Sequence, residues 1–176
     1  MGGDWYDAVR LRGGRLPHDC GGEQPDTGPA AALEALTRFV DALPEGDGLL
    51  TALVAVADPA AGTLVLARAG HPPPLLRRAS GEVLVLDEAN APPIGAGGPP
   101  PPETTVALGP GDVVLLFTDG LVERPGADLG AAIAAVGERL AAGGELGAIA
   151  DDLLAGARPD DGRYDDVALL LAQVTG

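Results

Sequence analysis

Between Ala30 and Leu43 the apolar residues Leu33, Leu36, Phe39, Val40 and Leu43 recur at three- and four-residue spacing. That period predicts a helix with one buried face. Asp26 or Thr27 is placed to cap it, with Pro29 in its first turn. Residues 49–57 are a continuous apolar run rich in Val and Leu, and 63–69 are a second. The turn residues 58–62 between them predict a hairpin. Residues 74–78 and 82–86 predict another, turned at 79–82. Residues 103–108 and 112–118 predict a third about Gly109-Pro110-Gly111. Helical patterns follow at 127–142 and 145–156, and a last strand at 166–174. Toward the N-terminus, 5–11 alternate loosely before a Gly13-Gly14 turn, and 17–29 read as a loop with almost no aliphatic content. Residues 87–102 form a loop ending in four prolines, too stiff and donor-poor for a sheet interior. Hairpin-connected strands with few crossovers predict an α+β fold with antiparallel sheets, not a βαβ doubly wound one.

Composition narrows the function. At 176 residues and 46% hydrophobic, the chain is long enough for one domain with an aliphatic core. Gly 27 and Pro 17 make a quarter of it and imply many loops. Its formal net charge is −15, and all 11 basic residues are Arg. That balance argues against nucleic acid or an anionic membrane surface as partner and suits a soluble protein that holds divalent cations. The lone Cys20 rules out an intrachain disulfide or a multi-cysteine zinc site. No run reaches the roughly 18–20 apolar residues of a membrane span. The N-terminus lacks a signal-peptide pattern, so a cytoplasmic location is expected.

Acidic residues gather where strands leave the core. Asp4 follows Gly2-Gly3, Asp119 sits between an apolar run and Gly120, and Asp165-Asp166 precede the last strand. Carboxylates on several strand ends can converge on a point, and hard divalent cations relieve their mutual repulsion. Oxygen ligands suit Mg2+ or Mn2+ rather than a soft metal. An Asp beside Gly, taken singly, is more often a turn or capping residue. His71, before a proline run, reads as a loop-holding residue or as a proton donor. Trp5 and Tyr6 read as packing residues, and Cys20 has no base near it in sequence.

Five ordered blocks carry a resemblance: GGDWYDA (2–8), ARAGHPPPLL (67–76), APPIG (91–95), PGDVVLLFTDGLVE (110–123) and DDVALLL (165–171). Together they resemble the bacterial metal-dependent protein phosphatase (PPM) superfamily, in its stage II sporulation protein E branch. The resemblance implies a β-sandwich flanked by helices in αββα layers, with residues 1–176 forming a single phosphatase domain. It implies a serine/threonine phosphatase holding two Mg2+ or Mn2+ ions, whose activated water attacks the phosphorus in line. Asp4, Asp119 and Asp165 match the family's ligand positions, and Asp166 supports Asp165. The implied substrate is a phosphorylated regulatory protein of the anti-sigma-factor-antagonist type.

The chain departs from that pattern in one region. The family's second acidic block, GDxxGHG with its following helix, is replaced by PHDCGGEQPDTG at 17–28, where Asp19 is the nearest stand-in for the bridging ligand. Relative to the family the chain is expected to be incomplete before Gly2 and around 17–28. A catalytically impaired relative that binds the regulatory partner without hydrolysis is the alternative. A truncated, poorly folding product is a third.

Overall fold

A computed structural model describes residues 28–43, 48–123, 126–157 and 166–175. The reading of 5–29 as strand, turn and loop falls almost wholly outside them. The described residues fall into two compact units. One runs up to His71 and adds Asp87–Leu108; the other comprises Pro72–Leu86 and the chain from Gly109 onward. The fold is α+β with antiparallel sheets and flanking helices.

The first unit holds helix α1 (Pro29–Asp41) and strands β1 (Ala52–Asp58) and β2 (Thr63–Ala69). β1 and β2 pair antiparallel over their full length, from Ala52↔Ala69 to Asp58↔Thr63. Asp58 sets the turn: its Oδ1 accepts the backbone N–H of Ala60 and of Ala61, both at 3.0 Å. β2 is central. Its first half pairs antiparallel with β6 (Thr104–Ala107), and its end pairs parallel with the two-residue β5 (Asn90–Ala91). The sequence pattern assigned 87–102 to loop; β5 is the one short exception.

α1 packs on β1 and β2 through Leu33, fully buried against Ala67, Ala69 and Ile94, with Leu36 and Val40 beside it. Phe39 and Leu43, which share the sequence periodicity, are instead 63% and 46% exposed. Consecutive helical residues point about 100° apart, so Val40 and Phe39 cannot both face the sheet. Among the described residues the helix starts without a local side-chain cap: its N-cap is Gly28, with Pro29 in the first turn, and the candidate caps Asp26 and Thr27 lie outside the described residues. A distant residue serves instead, since Glu103 Oε1 accepts the Ala30 N–H at 2.8 Å. A carboxylate there satisfies an orphan donor and opposes the positive end of the helix dipole.

The second unit is a four-stranded antiparallel sheet in the order β4-β3-β7-β8, formed by Val83–Val85, Leu75–Arg77, Val113–Phe117 and Leu169–Gln173. Helices α2 (Leu129–Ala142) and α3 (Leu146–Ala157) complete it. Leu75, Leu115, Leu140 and Leu153 anchor its aliphatic core. Asp128 caps α2, its Oδ1 accepting the Ala131 N–H at 2.8 Å.

One expectation is overturned. Residues 104–107 and 113–117 are both strands but not a hairpin: β6 pairs with β2 in one sheet, and β7 with β3 and β8 in the other. The reason lies in Asp112, only 4% exposed. Its Oδ2 accepts the Gly109 N–H at 3.0 Å and Arg78 Nη1 at 2.8 Å, and its Oδ1 accepts the Ala79 N–H at 2.9 Å. The carboxylate closes the 109–112 turn and fastens it to the β3–β4 turn, which aims the following strand at β3 rather than back along β6. No described helix is long and apolar enough to cross a membrane.

Candidate functional site

β7 and β8 run antiparallel and in register from Val113↔Gln173 to Phe117↔Leu169. The C-terminal end of β7 therefore lies beside the N-terminal start of β8. Thr118 extends the pairing by one residue. Its N–H donates to the Ala168 carbonyl at 3.0 Å, and its Oγ1 accepts the Ala168 N–H at 2.9 Å. The next residue, Asp119, opens a 3-10 turn, Asp119–Leu121. Its carbonyl accepts the N–H of Val122 at 2.8 Å and of Glu123 at 2.7 Å. This double acceptance fixes the backbone that carries the Asp119 side chain. The residue is half-buried, and among the described residues no donor bonds to its carboxylate.

Gly120 brings the two strand ends together. A Cβ at this position would overlap the Asp166 carbonyl oxygen and stand 3.2 Å from Val167 Cγ2. Only a residue without a side chain lets the chain after Asp119 pass so close to Asp166, which is exposed at the mouth of β8. Gly120→Ala is expected to cost about 1–3 kcal/mol, since the opposing contact is backbone and cannot rotate away. A lowered urea midpoint with an unchanged m-value checks this.

The structure thus brings together the elements that carry two of the candidate acids, Asp119 and Asp166. Asp4, Asp19 and Asp165 lie outside the described residues. Carboxylate oxygens are ligands of the kind a hard cation takes. Among the described residues no group of three or more His, Cys, Asp or Glu is placed to hold a metal.

His71 belongs to the other unit, where a residue passed over in the sequence governs its loop. Arg68, 5% exposed, donates from Nη1 to the His71 carbonyl at 2.6 Å and from Nη2 to the Asp87 carbonyl at 2.7 Å. Burial holds its guanidinium below its usual pKa, against the raising effect of the Asp87 charge. The signal was available: a lone charge inside the apolar run TLVLARA (63–69) must either find partners or leave the core.

A sequence model of the stage II sporulation protein E (SpoIIE) family matches residues 19–175. The chain belongs to this family. The match takes in the two described acids and leaves out Asp4. Among solved structures, the RsbU and RsbW domains of Rv1364c from Mycobacterium tuberculosis superpose with a TM-score of 0.71 at 35% identity, over 82% of this chain and 41% of that one. The SiaA-PP2C domain of Pseudomonas aeruginosa gives 0.69 at 21% identity, over 83% and 61%. The phosphatase domain of the cell fate determinant SpoIIE from Bacillus subtilis, presoaked with Mn, gives 0.63 at 15%, over 82% and 65%. This SpoIIE-family chain therefore has the PPM-type phosphatase fold, and it spans less than two thirds of each of these structures.

Proposed function

We propose that the chain is a divalent-cation-dependent phosphatase for phosphoserine or phosphothreonine on a regulatory protein, with residues 1–176 acting as one domain. The observation that carries this is the meeting of the Asp119 turn and the start of β8 across Gly120, in a chain of the SpoIIE family. By the family resemblance the regulatory protein is of the anti-sigma-factor-antagonist type. The RsbU and RsbW domains of the most identical structure cited above favour that class.

Asp4, Asp119 and Asp165 would hold Mg2+ or Mn2+, with Asp19 standing in as the bridging ligand and Asp166 supporting Asp165. When bound, two such cations supply an acidified water and charge neutralisation at the phosphoryl oxygens. The protein's own part is positioning. Phosphoryl transfer depends on fixed geometry more than on covalent chemistry, so a side chain on a doubly hydrogen-bonded turn suits the task. Thr118 ties that turn to β8, and so ties the orientation of Asp119 to the placement of Asp166. Gly120 keeps the two elements close without a side chain between them.

The impaired-relative reading retains one specific ground, the replacement of the GDxxGHG block by PHDCGGEQPDTG at 17–28. The same assay separates the two. Hydrolysis of p-nitrophenyl phosphate by the full chain is expected with Mn2+ and is abolished by EDTA. A well-folded preparation with no Mn2+-dependent turnover sinks the enzyme reading and leaves the binding one.

A further inference from the structure

A cavity of about 280 Å3 opens in the second unit between the 3-10 turn, α2 and α3. Leu121 and Val122 form one wall, Ala131 and Ala135 of α2 another, and Leu153 of α3 a third. Small residues on α2 leave the space that larger aliphatics would fill. Two charged residues reach it, and each already has a partner. Asp128 Oδ1 accepts the Ala131 N–H, and Arg139 Nη1 donates to Asp152 Oδ2 at 3.0 Å and to the Asp152 carbonyl at 3.2 Å. With its charges engaged, the cavity selects for shape and apolarity. An apolar cavity of about 150 Å3 already accepts a benzene ring, so this one has room for a Leu- or Phe-sized side chain.

Its position gives the occupant. Leu121 and Val122 lie two and three residues after Asp119, within a turn that rises only about 2 Å per residue. The Asp119 carbonyl bonds the Val122 N–H, so the cavity wall and the candidate ligand share one short, hydrogen-bonded piece of backbone. A peptide presenting a phosphoseryl group beside Asp119 has neighbouring residues within reach of the cavity, because an extended chain advances about 3.3 Å per residue.

We propose that this cavity is a specificity site that receives one large apolar side chain of the phosphoprotein substrate, a few residues from its phosphoserine. The proposal rests on the phosphatase reading for the identity of the partner.

The test is peptide binding read without turnover. Fluorescence anisotropy is measured on the full chain with Mn2+, using labelled phosphoserine peptides of Gly and Ala in which a single Leu is walked through the four positions on either side. One position is expected to bind about tenfold tighter with Leu than with Ala, as burial of an aliphatic side chain implies. Ala131→Leu and Ala135→Leu, which fill the space, are expected to erase that preference. Ala134→Leu, the same change at a position of α2 that is exposed like Ala131 and Ala135 but does not line the cavity, is expected to retain it. Thermal melts verify that all three variants fold. No Leu preference at any position overturns the proposal, as does one that survives both filling variants or is lost in Ala134→Leu as well. Hydrolysis of p-nitrophenyl phosphate by the same preparation reports separately: its absence counts against the phosphatase and leaves the anisotropy to decide the cavity.

Discussion

Asp119→Asn is expected to lower Mn2+-dependent phosphatase turnover by about 100-fold or more, a barrier increase of roughly 3 kcal/mol at 1.36 kcal/mol per tenfold. The amide keeps the shape of the side chain but loses the negative charge that holds a divalent cation. Little else depends on that charge, because among the described residues no donor bonds to the Asp119 carboxylate. The melting temperature should therefore stay within about 2 °C of wild type, as for a substitution that breaks no buried contact. Raising Mn2+ should recover part of the loss if affinity is what the charge supplies. A variant with full activity, or one inactive only because it has unfolded, removes Asp119 from the site.

The largest stability effect is expected at Asp112. Its carboxylate is 4% exposed and accepts from Gly109, Ala79 and Arg78. Asp112→Ala strands two backbone donors and leaves Arg78 without this acceptor. Arg78 is partly exposed, its side chain 27% accessible, so water screens part of the ion pair and the upper range for a fully buried bridge does not apply. A loss of about 2–4 kcal/mol follows, or about 5–15 °C in melting temperature for a chain of this size. The effect has a pH signature. Burial raises the Asp112 pKa, but the two backbone N–H groups and the Arg78 guanidinium outweigh it, so in the folded protein the carboxyl lies below its ordinary 3.8. The unfolded chain takes up the proton first as pH falls, so it binds more protons than the native state in that interval. The stabilisation is complete above the unfolded value near pH 4 and is lost as pH drops through the folded one. The gap in melting temperature between wild type and Asp112→Ala should be constant above about pH 5 and narrow in stronger acid. A gap that widens in acid contradicts the assignment.

Asp112 also marks where sequence reading stopped short. Local periodicity located every α-helix and nearly every strand among the described residues, because each signal lies within a few residues of its element. Strand pairing is not local. The turn at 109–112 carries ordinary hairpin punctuation, and only the bonds from Asp112 to Arg78 and Ala79, more than thirty residues away, direct β7 to β3. Glu103 at the start of α1 is a similar case: a cap supplied from 73 positions away leaves no mark near the helix. The candidate acids could be picked out for a different reason. FTDG and DDVA sit on strand ends, and a strand end is readable from where an apolar run stops. Missing from the pattern was how Thr118 and Gly120 join those ends. That depends on a contact between segments about fifty residues apart.

The interleaving of the two units has a consequence for synthesis on the ribosome. The unit built on β2 can close once β6, ending at Ala107, has emerged. The other cannot. β3 forms early in the chain but waits for β7, and the sheet lacks its last strand until Gln173 is made. During that interval the apolar edge of β7, destined for β8, has no native neighbour and is open to wrong pairing. Thr118, Asp119 and Gly120 thus gain their native neighbours at Asp166–Ala168 only after about fifty further residues have been made, and the turn that carries Asp119 stands without them for that whole interval.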